Sequence, residues 1–413
     1  MLGDLVNPKA DRCGGPAYRK WRRASPHRCS SDRTRQPSQE VKTDMRILIV
    51  GAGIAGLAMH RALSQRGLRA TIVERSNFAG VGGAGLFLPG NAVRALGDLG
   101  LLDALMEHSH PITHQRFCDE NGRPLNVVDT KGFWGDVAPC RSMKRSTLWD
   151  LLKLAVGPDD IEYRRVVDVR NDRERCRVFF HDGGVGEYDL VIGADGVRSS
   201  VRDIAFPDTP PPVYVGNVCW RFLVPNTCGI EDWTVMLAAN RSLLGKPVSP
   251  SELYVYADLT VDEMNVECYS AMTSLEPLFE DIAGPLVPAL KLAASANVHF
   301  SELVRLQMTA LHRDRVVLVG DAAHASPPSM AQGAGMALED AIVLARELAT
   351  ADSIPTGLAR YEALRKPRIA WVHRQGFARD KMRRLPRVLR NALLRFAGQR
   401  LYERAYRPLK EPI

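Results

Sequence analysis

The sequence predicts an α/β protein: a parallel-sheet domain, interrupted by a mostly antiparallel β insertion and followed by C-terminal helices. Three observations carry that expectation. Arg46-Ile-Leu-Ile-Val50, a glycine-punctuated turn, a helix from Leu57 to Gln65 and Ala70-Thr-Ile-Val73 succeed one another as strand, turn, helix and strand, the order of a parallel βαβ unit. Short strand patterns recur at 166–169, 178–181, 190–192, 218–224, 253–257 and 316–319. Long helical patterns then occupy 332–348 and much of 357–410, and no repeat of fixed period appears.

The 413 residues leave room for about two to four domains at roughly 100–200 residues each. Hydrophobic content of 45% and charged content of 25% exclude a disordered or low-complexity architecture for most of the length. No apolar run approaches the roughly 18 to 20 residues of a bilayer-spanning helix. The net charge of +8 is carried by the ends, since residues 1–44 hold ten Lys/Arg against five Asp/Glu and residues 361–413 hold fifteen against four. The body between them is acidic, and no nucleic-acid partner is expected. Eight cysteines form no CxxC pair and no His/Cys cluster has zinc-like spacing, so free thiols, a cytoplasmic setting and no metal site are expected. Residues 1–44, rich in Arg, Ser and Pro, read as a disordered or mis-started N-terminal extension; Asp4, Asp11, Asp32 and Glu40 do not suit an amphipathic targeting helix.

Gly51-Ala-Gly-Ile-Ala-Gly56 joins the first strand to the first helix. Gly51 permits the tight turn, Gly53 lets a pyrophosphate approach the backbone, and Gly56 allows close helix–strand packing, with Ala55 beside it. The helix directs its N-terminal amides at the phosphates. Glu74 follows Gly51 by 23 residues and can accept hydrogen bonds from both ribose hydroxyls, with Arg75 next to it. This is a Rossmann-like dinucleotide site that does not by itself separate FAD from NAD.

Two later segments carry a family resemblance. Residues 189–202, with Gly193-Ala-Asp195-Gly-Val-Arg198 at their centre, resemble the DG motif of the class A flavoprotein aromatic hydroxylases. Residues 319–341, with Gly320-Asp321 and Gln332-Gly333-Ala334-Gly335-Met336, resemble that family's GD motif, in the same order and separation after the glycine turn. The resemblance covers about residues 45 to 375. It implies the fold of para-hydroxybenzoate hydroxylase and its salicylate and urate hydroxylase relatives. In that fold 45–110, 141–205 and 299–360 form a discontinuous FAD-binding domain, 111–140 and 206–298 a substrate domain, and 361–413 a basic helical tail.

The resemblance further implies noncovalent FAD, with Asp321 on the ribityl chain and Gly333 to Met336 opening a helix whose amides stabilise negative charge on the reduced ring. Arg145 resembles the family arginine that contacts FAD, with Arg141 a weaker alternative, and residues 85–92 resemble the segment bordering the flavin. No second glycine fingerprint follows a strand, so NAD(P)H is expected as a transient co-substrate, with Asp195 and Arg198 near its path. The implied function is an FAD-dependent monooxygenase: O2 adds at flavin C4a after reduction, and the hydroperoxide hydroxylates a small aromatic or polyketide-like substrate. The alternatives are a reductase, dehydrogenase or halogenase of the same fold, or a flavin-binding protein without turnover. Two departures stand out: His60, where the fingerprint usually has Ala or Gly, and Ala331, where the family often has Gly.

The substrate is expected between the flavin and the insertion sheet. In Cys219-Trp-Arg-Phe-Leu-Val224, Trp220 and Phe222 face one way and Arg221 the other, where it either fixes a carboxylate or phenolate or stays solvated. Pro327 and Pro328 resemble the rigid loop above the flavin. Tyr254, Tyr256 and Met236 read as core packing, Glu339 and Asp340 as a structural pair, and His324 as a packed residue rather than a base. In the tail, Leu385, Leu389, Leu393 and Phe396 lie at helical spacing among arginines, and that leucine face is expected to pack on the body rather than on an anionic membrane. A monomer or dimer is expected.

Overall fold

β-Branched residues placed between glycines make the centre of this fold. The structure, a computed structural model, describes residues 45–76, 85–154, 156–157, 160–270, 272 and 274–413, so the expectation for 1–44 lies outside the described residues. β1 (Ile47–Val50) is buried on both faces, as a central parallel strand must be. It leads into α1 (Ile54–Ser64) and β2 (Ala70–Val73). β3 (Gly85–Leu88), α2 (Gly90–Asp98), β4 (His114–Asp119), β5 (Pro124–Asp129), β6 (Arg141–Lys144) and α3 (Arg145–Lys153) follow. The chain returns through β7 (Leu190–Gly193) and α4 (Ser200–Ala205) to β8 (Val213–Pro225), β9 (Trp233–Leu237), β10 (Arg241–Pro247), β11 (Glu252–Thr260) and β12 (His299–Arg305). It ends with β13 (Val316–Leu318), α5 (Asp321–His324), α6 (Gly333–Thr350), α7 (Ile354–Arg383) and α8 (Arg387–Lys410).

β13, β7, β1 and β2 lie side by side and parallel, with Ile49 opposite both Ile192 and Ile72. Short segments at His312–Arg313 and Ile161–Glu162 extend the two edges. Between β2 and β7 the strand patterns at 166 and 178 become a separate antiparallel sheet of Val166–Asn171, Cys176–Phe180 and Val185–Tyr188. α1 packs against both α6 and α3, which is why nearly all of it is buried. His60 is part of that packing: it is 4% exposed, its Nε2 lies 3.4 Å from Asp160, and burial lowers its pKa.

The second sheet runs β12, β8, β11, β10, β9, β4, β5 and is antiparallel except where β9 pairs with β4. Its two faces differ as the alternation of β8 requires. Trp220 and Phe222 enter an apolar core with Phe279, Leu286 and Met236. Arg221, Tyr254 and Tyr256 occupy the opposite face. β3 and β6 form a small sheet against it, and Ser142 donates its hydroxyl hydrogen to the Pro247 carbonyl, tying the two halves together.

The leucine face of the tail is corrected by the structure. α8 buries Arg390, Leu394, Gly398, Tyr402 and Tyr406, whereas Leu389 is 50% and Phe396 85% exposed. The reason lies in what the body offers. Arg390 donates to the carbonyls of Ala238 (2.7 Å) and Leu237 (3.0 Å) at the end of β9, and Tyr402 receives the Trp134 indole N–H at 2.8 Å. These hydrogen bonds set the rotation of the helix. Among the described residues no helix is long and apolar enough to cross a membrane.

Candidate functional site

Three glycines shape the first wall of the site. Gly51 has φ +108°, and a Cβ there would lie 2.6 Å from the Ala194 carbonyl oxygen of the DG turn. At Gly56 a Cβ would come within 1.9 Å of the Gly51 oxygen, so helix and strand approach as closely as backbones can. Gly53, the residue before α1, has nothing within 4 Å of the position of a Cβ. The amide end of α1 therefore opens on free space. At the end of β2, Glu74 accepts hydrogen bonds from the amides of Ala52 (2.9 Å) and Ser76 (3.2 Å), which aim its carboxylate across the turn. Arg75 is exposed.

The GD loop meets this wall edge to edge. Gly320 has φ +60°, and a Cβ on it would stand 2.8 Å from the Ala55 methyl and 3.4 Å from that of Ala337, so Ala55 and Gly320 must both be small. Asp321 follows, exposed, with no hydrogen-bond or ion-pair partner among the described residues. Behind it lies a dense charge network. Asp340 accepts from the Gly320 amide at 2.8 Å, from His324 at 2.6 Å and from Arg365 at 2.7 Å. Glu339 accepts from Arg365 at 2.7 Å, from Arg368 at 2.7 Å and from Asn91 at 3.0 Å. Burial pushes both carboxyls up, but His324 and Arg365 hold Asp340 down at about 2, and Arg365 and Arg368 keep Glu339 lowered. These acids hold the loop and helix in place. His324, 4% exposed and paired with Asp340, is packed in the same network.

α6 begins beyond this loop. Gly333 has open space where a Cβ would be, while a Cβ on Gly335 would sit 3.2 Å from Ala92 at the start of α2. Ala334 is partly exposed beside them and Met336 turns into the core at 2% exposure. Gln332 and Asn91 exchange two hydrogen bonds, of 2.9 and 3.0 Å, that lock the 85–92 segment to the helix start. Ala331 takes the left-handed backbone, φ +47°, where a Cβ is strained and glycine is favoured.

Of the two arginines considered for the cofactor, the structure separates the roles. Arg141 donates to the carbonyls of Met106 (2.9 Å) and Ser109 and to the Ser109 hydroxyl at 2.8 Å, and so braces the segment before β4. Arg145 makes no hydrogen bond or ion pair among the described residues. Burial lowers its pKa, with Asp321 opposing and Arg221 reinforcing, which places all three around one space. Asp195 accepts from Ser199 at 2.5 Å and from Ser200 and the Val201 amide, both at 3.1 Å. Its carboxylate is occupied in holding the DG turn. Arg198 projects into solvent, 3.8 Å from Glu302.

The insertion sheet supplies the last wall. Arg221 donates to the Ser301 hydroxyl at 2.6 Å through one terminal nitrogen, while its Nε is buried without a partner. Burial lowers the pKa of His299, its neighbour across β8 and β12, and Arg221 and Arg145 lower it further. Tyr254 stands so close to β3 that a Cβ on Gly85 would meet its ring at 2.8 Å. Pro327 and Met330 line a cavity of about 360 Å³ with Val372 and Phe377 of α7, while Pro328 is exposed. Sequence reasoning missed Lys246, whose position on β10 puts it opposite Tyr254 on this same face. The signal was a lysine two residues beyond Leu244 in an alternating strand, but Gly245 and Pro247 hid the strand itself.

Three walls made of small residues, an open helix end and unpaired cations can hold an extended, negatively charged ligand with a flat ring. No group of three or more potential metal ligands occurs among the described residues. Comparison with known proteins shows the family. The family model described as FAD binding domain matches residues 44–375. The 2-heptyl-3-hydroxy-4(1H)-quinolone synthase of Pseudomonas aeruginosa is 32% identical over 88% of this chain and 98% of its own length. The aurachin C monooxygenase/isomerase of Stigmatella aurantiaca is 31% identical over 79% of this chain and 87% of its own. Among solved structures, Klebsiella pneumoniae HpxO complexed with FAD and uric acid superimposes with a TM-score of 0.76 over 90% of this chain and 94% of its own, at 24% identity.

Proposed function

Because this chain belongs to the FAD binding domain family and is an FAD-dependent monooxygenase, we propose that it hydroxylates a small aromatic or heteroaromatic compound bearing an acidic oxygen. Arg221 is the observation that carries this reading. A half-buried guanidinium whose buried Nε has no partner, beside Arg145, which makes no hydrogen bond or ion pair among the described residues, calls for an anionic group from outside the chain.

The residues present fit the cofactor. Gly51, Gly53, Ala55 and Gly56 leave the amide end of α1 open for a pyrophosphate, and Glu74 and Arg75 border the ribose position. Asp321, without a hydrogen-bond or ion-pair partner among the described residues, would hold the ribityl chain. Gly333, Ala334 and Gly335 would give the flat ring a wall of small residues, with Met336 turned into the core behind them, and Arg145 would lie toward its edge. Asp195 positions the turn past which NAD(P)H reaches the site. When bound, FAD accepts hydride from NAD(P)H and delivers one atom of O2 to an electron-rich ring carbon.

The chain's own work is orientation and exclusion of water. Arg221 fixes the acidic oxygen of the substrate, Tyr254 and Leu223 flank its ring, and Pro327 and Pro328 keep the opposite loop rigid. One of the relatives described above is by its name a synthase of a 3-hydroxy-4(1H)-quinolone, and a compound of that kind suits such a site: flat, bicyclic and bearing a ring oxygen. The six free cysteines among the described residues favour work in the cytoplasm, as a monomer or dimer.

A screen of quinolones and hydroxybenzoates, scored by stimulated NAD(P)H oxidation under 18O-labelled O2, tests the reading. One labelled atom per product is expected. Product without label refutes oxygen transfer. Arg221→Met is expected to raise KM by about 10 to 150-fold, the worth of a charge-assisted hydrogen bond, without loss of FAD.

A further inference from the structure

Lys246 is 5% exposed, yet among the described residues nothing accepts a hydrogen bond from its ammonium and no carboxylate pairs with it. Its neighbours are rings. Nζ lies 4.5 Å from the centre of Tyr254 and 6.0 Å from that of Phe87 on β3. The amine thus stands where the insertion sheet meets the cofactor domain, on the face that carries Arg221. An unpaired buried cation costs several kcal/mol, and Leu or Met would fill the same space at no such cost. Apart from the attraction of the two ring faces, the packing gives no reason for an amine here.

The charged groups around it are all accounted for. On β6, Lys144 pairs with Glu252 of β11 at 2.6 Å. Arg141, on the same strand, is bound to the carbonyls of Met106 and Ser109. On β8, Arg221 is held by Ser301. From β11, burial pushes the phenol of Tyr254 up and keeps it un-ionised. From β9, neither Trp233 nor Thr234 ionises. Burial alone therefore acts on Lys246, lowering its pKa to about 7.

We propose that Lys246 accepts the proton of a ring hydroxyl on the substrate other than the oxygen held by Arg221, and then holds that oxygen as an anion against its ammonium. The inference rests on the reading of this face as the substrate site. In the step the substrate O–H bond breaks and an N–H bond to Nζ forms, with no change of oxidation state. Amine and hydroxyl become an ion pair in place, so the site gains no net charge. The anion is the more electron-rich ring, the form that accepts oxygen.

The test uses the FAD-loaded full chain and 4-nitrophenol, whose anion absorbs in the visible, titrated across pH by difference spectroscopy. The wild type is expected to bind the probe as phenolate at pH values where the free probe is mostly un-ionised. Lys246→Met should abolish that band and weaken binding by about tenfold or more, one pKa unit in free energy. Lys246→Arg keeps a cation that cannot accept a proton, so it should bind the phenolate with release of the probe's proton to the medium, whereas the wild type takes that proton up on Nζ. A phenolate band that persists in Lys246→Met overturns the proposal, as does a wild type that binds the probe un-ionised or not at all. Should Lys246→Met fail to fold, the wild-type and Lys246→Arg titrations decide. Labelled-oxygen incorporation is a separate readout: an enzyme that incorporates label but binds neutral phenol defeats this inference alone, and one that binds the anion without incorporating label defeats the monooxygenase reading.

Discussion

Two clusters of charge lie on either side of the proposed cofactor position, and they are built on opposite rules. Behind it, Glu339, Asp340, Arg365, Arg368 and His324 are all buried or nearly so, and every carboxylate oxygen among them accepts a hydrogen bond at 2.6 to 3.0 Å. In front of it, Arg145, Arg221 and Lys246 have, among the described residues, one side-chain hydrogen bond among the three, from Arg221 to Ser301. A satisfied network is rigid and fixes the loops it touches. An unsatisfied one is costly for the chain alone and is repaid when a ligand arrives. The same residue types therefore act as scaffold on one side and as binding surface on the other.

The largest way to break this contrast is Arg365→Met. It leaves Glu339 and Asp340 buried without their shared partner, and a loss of about 3 to 5 kcal/mol in chemical denaturation is expected. The wild type should show the acid side of the same network. Asp340 is held at about 2, below its unfolded value of about 4. Its stabilising contribution is full above about pH 4 and is lost as pH falls through about 2, which an acid titration of folded fraction measures.

On the front side the sign reverses. Lys246 is lowered to about 7, whereas the unfolded chain holds that proton to about 10. Between those values the unfolded state binds more protons, so stability should rise with pH, by up to about 4 kcal/mol. Lys246→Met should remove that rise and raise Tm at neutral pH. A flat wild-type profile between pH 7 and 10 would place an unseen partner on the amine.

Asp321→Ala tests the boundary between the two clusters. Among the described residues the side chain has no partner to lose, so stability without flavin should be unchanged while FAD is retained about 10 to 150-fold less tightly. Equal FAD affinity in variant and wild type would remove Asp321 from the cofactor site. The smallest effect is expected at Ala331. Ala331→Gly relieves a left-handed alanine and should stabilise the chain by up to about 1 kcal/mol, net of glycine's greater backbone entropy in the unfolded state.

What was legible in the chain alone is whatever depends on residues close together in sequence. The Gly51, Gly53 and Gly56 roles follow from one turn between one strand and one helix, and the alternation of Trp220, Arg221 and Phe222 follows from the two-residue period of a strand. The GD loop was legible for the same reason. Pairing across long separations was not. Asn91 meets Gln332 across 241 residues, and Lys246 comes to stand beside Tyr254 and Phe87 only because its strand is in register with Tyr254 and is covered by β3. The rotation of α8 was decided by carbonyls at the end of β9 and by Trp134, against which a leucine stripe at perfect helical spacing had no say. Amphipathic period marks a face as apolar, but which face is buried depends on the hydrogen bonds and surfaces that the rest of the fold presents.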